Sequence, residues 1–202
     1  MPHSRQIREI RQIGRGRYQV ICESDPPFVL YEKELKTYGI TEESECSAET
    51  YARICEEVFR RRAWNRCMYL LEKQDYTEEQ IRRKLRDGYY PEEIIEETLS
   101  RLRDTGAVND RRYAENYLQM NRGRYSRRML EQKLLQRGIR RELITQVWEA
   151  EPSCAPDEAE QIRRQLQKKQ YDPSSVTQEE REKIRRSLLQ KGFSYDQIIK
   201  LT

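Results

Sequence analysis

The sequence predicts a mainly α-helical protein built from tandem three-helix modules that form an elongated curved body, with a small strand-bearing unit at its N-terminus. Three observations predict it. Of 202 residues, 37% are charged and 36% hydrophobic, with few Gly and Pro, a balance that suits exposed amphipathic helices better than a compact sheet protein. Apolar residues recur in three- and four-residue steps along most of the chain, which separates it from a disordered, highly charged one. A helix-ending pattern also returns three times, at Gly88, Gly138 and Gly192.

The N-terminal unit, residues 1–45, differs from the rest. Ile7, Ile10 and Ile13 precede the turn signal Gly14-Arg15-Gly16, Tyr18, Val20 and Cys22 alternate after it, and Pro26-Pro27 comes before Phe28-Val29-Leu30. Two or three short strands are expected, although the spacing of three between the isoleucines suits a helical turn equally. Residues 31–40 then predict a short helix ended by Gly39, with Ile40 as the apolar residue that accompanies a glycine C-cap. The charged stretches EKELK and TEESE suggest a mobile neck.

Residues 46–108 are expected to hold a linker helix and the first module. Tyr51, Ile54, Cys55, Val58, Phe59, Ala63, Cys67, Leu70 and Leu71 follow helical spacing, so one long helix is predicted from about 48 to 73. The three glycines anchor the rest. Three positions before them stand Leu85, Leu135 and Leu189; one after stand Tyr89, Ile139 and Phe193; six after stand Ile94, Ile144 and Ile198. This reads as a helix, a left-handed glycine, an apolar residue folding back, and a second helix, with Pro91 suited to a first turn. A further amphipathic segment precedes each pair, at the end of the long helix, at 110–121 and at 157–169, giving a second module at 109–152 and a third at 153–202. One irregularity stands out: Leu130 and Ile184 lie eight residues before their glycines, but Ile81 lies only seven before Gly88.

Charge is segregated. The net charge is +4, yet residues 122–141 carry eight basic side chains against the single acid Glu131. The candidate basic face comprises Arg124, Arg127, Arg128, Lys133, Arg137 and Arg140, together with Arg82, Arg83 and Lys84 in the first module and Arg185 and Arg186 in the third. Such a face suits a phosphate backbone, or an acidic protein groove that itself holds nucleic acid. Arg rather than Lys at most positions favours bidentate pairing with carboxylate or phosphate. Tyr125 is placed to stack on bases, whereas Tyr113 and Tyr117 share a four-residue step and read as core.

The same reading argues against catalysis. No phosphate loop, H-E-x-x-H or G-x-S-x-G motif occurs, and His3 is the only imidazole, so no catalytic residue, metal or cofactor is expected. Five cysteines, Cys22, Cys46, Cys55, Cys67 and Cys154, are odd in number and never spaced C-x-x-C, which reads as free thiols in a reducing compartment. No apolar run of membrane-spanning length and no secretory leader is seen, so a cytoplasmic location and no membrane partner are expected.

Several of these segments resemble a known family. The run from Ala63 through Tyr89, the signature Gly106-x-Val108-Asn109-Asp110-x-x-Tyr113-Ala114 and the basic helix closing on Gly138-Ile139 are similar to the RecX family of recombinase regulators. The N-terminal segment Arg17-Tyr18-x-Val20 and the helix end Tyr38-Gly39-Ile40 resemble the extension of longer family members. Where the family often places Gly or Pro before the second module's middle helix, this chain has Gly123-Arg124-Tyr125-Ser126, and Ser126 is a good N-cap. The resemblance implies a monomeric inhibitor of the RecA recombinase that binds the groove of the RecA filament on DNA, lowers ATP hydrolysis and strand exchange and favours filament disassembly. Gly88, Asp110, Tyr113, Ala114, Gly138 and Gly192 are then structural signature residues, with Asp110 as a helix cap and Tyr113 and Ala114 as core contacts. Two alternatives stay open: a free-standing DNA-binding protein with helix-turn-helix-like units, and a repeat adaptor that binds only protein.

Overall fold

The computed structural model describes residues 3–150 and 157–202, so Cys154 lies outside the described residues. The chain divides into two compact units, Met1–Val108 and Asn109–Thr202.

The first unit opens with an antiparallel sheet of four strands in the order β3-β2-β1-β4, formed by β1 (Arg5–Gly14), β2 (Arg17–Cys22), β3 (Phe28–Tyr31) and β4 (Glu45–Cys46). The isoleucine ambiguity resolves as strand, and a bulge is the reason. Ile7 pairs with Cys22 and Glu9 with Ile21, so Arg8 is an extra residue on β1. In a regular strand, residues three apart point to opposite faces; the extra residue returns Ile10 to the side of Ile7, where both meet the core.

Helix α1 (Glu32–Tyr38) ends at Gly39, whose φ is 64°, and the Ile40 amide returns to the Leu35 carbonyl at 2.9 Å. The expected mobile neck is instead tied down at both ends. Leu35, Tyr38 and Ile40 pack on the core, and Cys46 pairs with Arg5 across β4. One continuous helical rod follows: α2 (Ala48–Ile54), a π-turn (Cys55–Phe59) and α3 (Arg60–Leu71), capped by Ser47, whose Oγ accepts from the Thr50 amide. Then come α4 (Glu78–Arg86), opened by the Thr77–Gln80 capping box, and α5 (Glu92–Asp104). A single core serves the sheet and this module, since Ile7, Val20 and Phe28 cluster with Ile54, Phe59, Leu85 and Leu99. Edge-on contacts of Phe59 with Phe28 and with Tyr90 join the two parts.

The second unit contains α6 (Asp110–Asn121), α7 (Arg127–Gln136), α8 (Arg141–Ala150), α9 (Glu158–Lys168), α10 (Gln178–Gln190) and α11 (Tyr195–Leu201). Two cores alternate with this order. Ala114, Leu118, Leu130, Leu134, Ile144 and Val147 close the second module, and Ile162, Leu166, Leu188, Phe193 and Ile198 close the third.

The repeat register needs one correction. Gly138 and Gly192 both adopt φ of 85°, but in the first module the left-handed residue is Tyr89, with φ of 60°, and not Gly88. Each turn closes as a Schellman motif, in which the Tyr90, Ile139 and Phe193 amides donate to the Leu85, Leu134 and Leu188 carbonyls. The equivalent inward-facing positions are therefore Leu85, Leu134 and Leu188, then Tyr90, Ile139 and Phe193, then Ile95, Ile144 and Ile198, all buried except the half-buried Tyr90. Leu135 is half-buried and packs against the edge of its core, whereas Tyr89 and Leu189 are exposed, at 38% and 40%. On this register the missing residue disappears, because Ile81 lies eight before Tyr89. Gly88 is required for another reason: a Cβ there would meet the Tyr90 ring at 2.9 Å.

Candidate partner and nucleic-acid interface

The signature residues are structural, with one change of role. Asn109, not Asp110, caps α6, its Oδ1 accepting from the Arg112 amide at 2.9 Å. Asp110 takes the first helical position, where its charge suits the helix dipole. Ala114 is fully buried. Tyr113 and Tyr117 are half-buried rather than core, and their rings lie parallel with centroids 6.4 Å apart.

The candidate cations sort by what their heads already hold. Arg82 is withdrawn from any basic face: its guanidinium meets Glu78 at 3.0 Å, Glu79 at 3.4 Å and Glu92 at 3.7 Å, and also contacts Glu96. Arg83 beside it is exposed, and Lys84 lies over the Tyr76 ring at 5.1 Å. In the third module, Arg185 donates to Thr202 Oγ1 and pairs with Glu182, while Arg186 is exposed.

The second module gathers most of the rest. Tyr125 is flanked by two cations, Arg124 at 5.3 Å and Lys133 at 4.7 Å from the ring centroid. Arg137 lies 4.5 Å from the Tyr117 ring, donates Nε to the Tyr113 hydroxyl at 3.1 Å and donates again to the Lys133 carbonyl. It acts as a brace that joins α6 to the end of α7. Arg127 pairs with Glu131 at 2.8 Å and lies over the Trp148 ring at 5.0 Å, while Arg128 and Arg140 are exposed.

The sequence reading missed Lys191. It occupies the position just before the left-handed residue, as Arg137 does one module earlier, so the repeat register alone could have found it. Burial, and then the neighbouring charges of Lys169, Arg124 and Lys168, push the Lys191 ammonium below its ordinary range. Its Nζ nevertheless donates to Gln165 Oε1. The positive patch of the second module thus continues across the joint into the third.

That joint is made of backbone as much as side chain. The Ser126 amide donates to the Lys191 carbonyl at 3.0 Å, Gln165 Nε2 to the Gly123 carbonyl at 2.7 Å, and Gln161 Nε2 to the Arg122 carbonyl. Ser126 Oγ still caps α7 by accepting from the Met129 amide. Alongside runs a groove of about 860 Å³, with Arg127, Arg128 and Met129 on one side, Leu189 and Tyr195 on the other, and Trp148 also in its wall. Trp148 is 6% exposed, and its buried indole N–H has no acceptor among the described residues.

The four described cysteines are free, and burial, the first cause in each case, raises their thiols; Cys22, Cys55 and Cys67 reach about 11. Among the described residues, no helix is long and apolar enough to cross a membrane.

A chain of tandem three-helix modules defines a class of modular, helical-repeat proteins. Family models described as the first, second and third three-helix domains of RecX match residues 63–102, 109–147 and 156–201, and the chain belongs to the RecX family. A protein named regulatory protein RecX from Caldanaerobacter subterraneus subsp. tengcongensis is 30% identical over 92% of this chain and 87% of its own. Another of that name from Pasteurella multocida is 33% identical over 67% of this chain and 82% of its own. A crystal structure of a regulatory protein RecX, 24% identical, superposes over 98% of both chains with a TM-score of 0.55; RecX from Lactobacillus salivarius, 23% identical, does so over 71% of this chain and 94% of that one with 0.52. At those identities the likeness is one of fold.

Proposed function

We propose that this chain regulates the RecA recombinase by binding the RecA filament on DNA, inhibiting ATP hydrolysis and strand exchange and favouring disassembly. It acts as a cytoplasmic monomer. The observation that carries the reading is a set of cations around the joint of the second and third modules, Arg124, Arg128, Lys133 and Lys191, that have no carboxylate partner among the described residues. Lys191 feels the like charges of Lys169, Arg124 and Lys168, which are costly alone and favourable against an anion. Several modules, each making weak contacts, bind a repetitive filament through effective concentration rather than through one tight spot.

The test is RecA ATP hydrolysis on single-stranded DNA, with this protein below one copy per recombinase protomer. Inhibition is expected from the native protein, and Arg127→Glu/Arg128→Glu should weaken it at least several-fold with helicity unchanged. Full inhibition by that folded variant would remove the site. No effect of the native protein on hydrolysis, with tight and salt-sensitive binding to bare DNA, would give the function to the free-standing DNA-binding alternative.

A further inference from the structure

The family models begin at residue 63, which leaves the sheet of the first unit outside them. That sheet and α3 enclose a groove of about 350 Å³ lined wholly by residues of the first unit. Its composition is unusual. Arg17, Tyr31, Arg62, Asn65, Arg66 and Tyr69 line it, over a floor that includes Tyr90, and no carboxylate is among the lining residues.

The placement follows from secondary structure. Arg17 and Tyr31 are register partners on β2 and β3, so their side chains stand next to each other on one face of the sheet. Arg62, Asn65, Arg66 and Tyr69 fall at helical steps of three and four along one stripe of α3. Arg62 fixes the junction: it donates to the Val29 carbonyl at 2.9 Å, pairs with Glu34 and lies 4.6 Å over the Tyr31 ring. Its charge is thereby used. Arg17 and Arg66 are exposed and hold no ion pair among the described residues, while Tyr31 and Tyr69 are 42% and 58% exposed even though a cation lies over each ring, Arg62 on Tyr31 and Lys73 on Tyr69, where it is 4.0 Å from the centroid and also donates to the hydroxyl. Exposed tyrosines alternating with free guanidiniums offer what an unpaired nucleic-acid strand needs, a face for each base and a charge for each phosphate. A duplex keeps its bases stacked inside and could use only the charges.

We infer that this groove is a second nucleic-acid site, in which single-stranded DNA or RNA lays its backbone between Arg17 and Arg66 and stacks bases on Tyr31 and Tyr69. The site works on bare nucleic acid and so stands or falls separately from the recombinase reading. An acidic protein segment would satisfy the arginines but would leave unused the ring surface that Arg62 and Lys73 do not cover on Tyr31 and Tyr69.

The experiment uses the full chain and a fluorescent oligo(dT) carrying 5-iodouracil, titrated over a range of salt without recombinase. Arg17→Glu/Arg66→Glu should weaken binding at least five-fold and flatten the logarithmic salt dependence by about 1.4 units, as expected for losing two phosphate contacts on a single strand. Tyr69→Ala should weaken binding severalfold with the salt dependence unchanged, because stacking releases no counterions. Light-induced crosslinks should map to Tyr31 or Tyr69, and they decide the matter where only one variant responds. Crosslinks confined to residues 109–202 would overturn the proposal. So would loss of polyglutamate binding by the arginine variant with oligo(dT) binding intact, which would make the groove a protein site.

Discussion

At the level of single residues, turn geometry and close approach explain more than chemistry does. Gly192 is constrained twice, by its left-handed backbone and by a neighbour: an added Cβ would lie 2.7 Å from Ser126 Oγ and 2.8 Å from Met129 Cβ. Gly106 has a similar φ of 67° but open space around it. Gly106→Ala should therefore cost only the backbone term, about 1 kcal/mol, whereas Gly192→Ala should add the overpacking term and reach roughly 2–4 kcal/mol in denaturant unfolding. Equal losses would show that the joint yields freely. The sequence made these turns legible but misplaced one of them, because a glycine stood one residue away from the position that uses the left-handed conformation. Ile81, seven residues before Gly88 instead of eight, already held the correction. Lys191 was missed for a related reason, since it lies outside any basic run and gains its neighbours only through the fold.

At the level of elements, the first module shows how charge can be spent internally. Arg82 and Arg86 hold Glu92 from the end of α4, and Arg103 reaches back to Glu78 at 2.7 Å. The hydrogen bond from Arg86, ahead of its charge and that of Arg82, holds the Glu92 carboxyl below the usual carboxylate range. A carboxylate with a depressed folded-state pKa stabilises the fold above its ordinary pKa, and loses that contribution as pH falls through the folded value. Glu92→Gln should thus cause a small loss at neutral pH that shrinks in high salt and vanishes in acid, measured as the shift in thermal midpoint against pH. A loss that persists unchanged below the carboxylate range would point to packing instead. The periodicities of these helices were plain in the sequence, as was the long rod from 48 onward. The bulge at Arg8 and the π-turn were not, since each is a single extra residue whose position depends on what packs against it.

At the level of the whole chain, the core assignments set the cooperative units. The sheet and the first module share one core, while the second and third modules keep separate cores but are joined by the Ser126–Lys191 backbone hydrogen bond and by the Gln161 and Gln165 side chains on backbone carbonyls. Fragments 1–108 and 109–202 should each unfold cooperatively by circular dichroism. A fragment of 157–202 should melt well below the 109–202 fragment, having a small core and no partner for the Lys191 carbonyl. An isolated third module as stable as the pair would contradict this. Module order and the basic bias of the second module were readable from spacing and composition. Which cations remain unspent was not, because ion pairing between helices such as Arg82 with Glu96 is a property of packing.

The hydrogen bond from the Ser126 amide to the Lys191 carbonyl has a consequence for observation. Ser126 begins the helix that carries Arg127 and Arg128, yet its own N–H is protected by a different module. In hydrogen–deuterium exchange, that one amide should lose protection at the opening free energy of the third module, ahead of the α7 interior. It would report from within the second module, in the free protein and in any complex, whether its neighbour is seated.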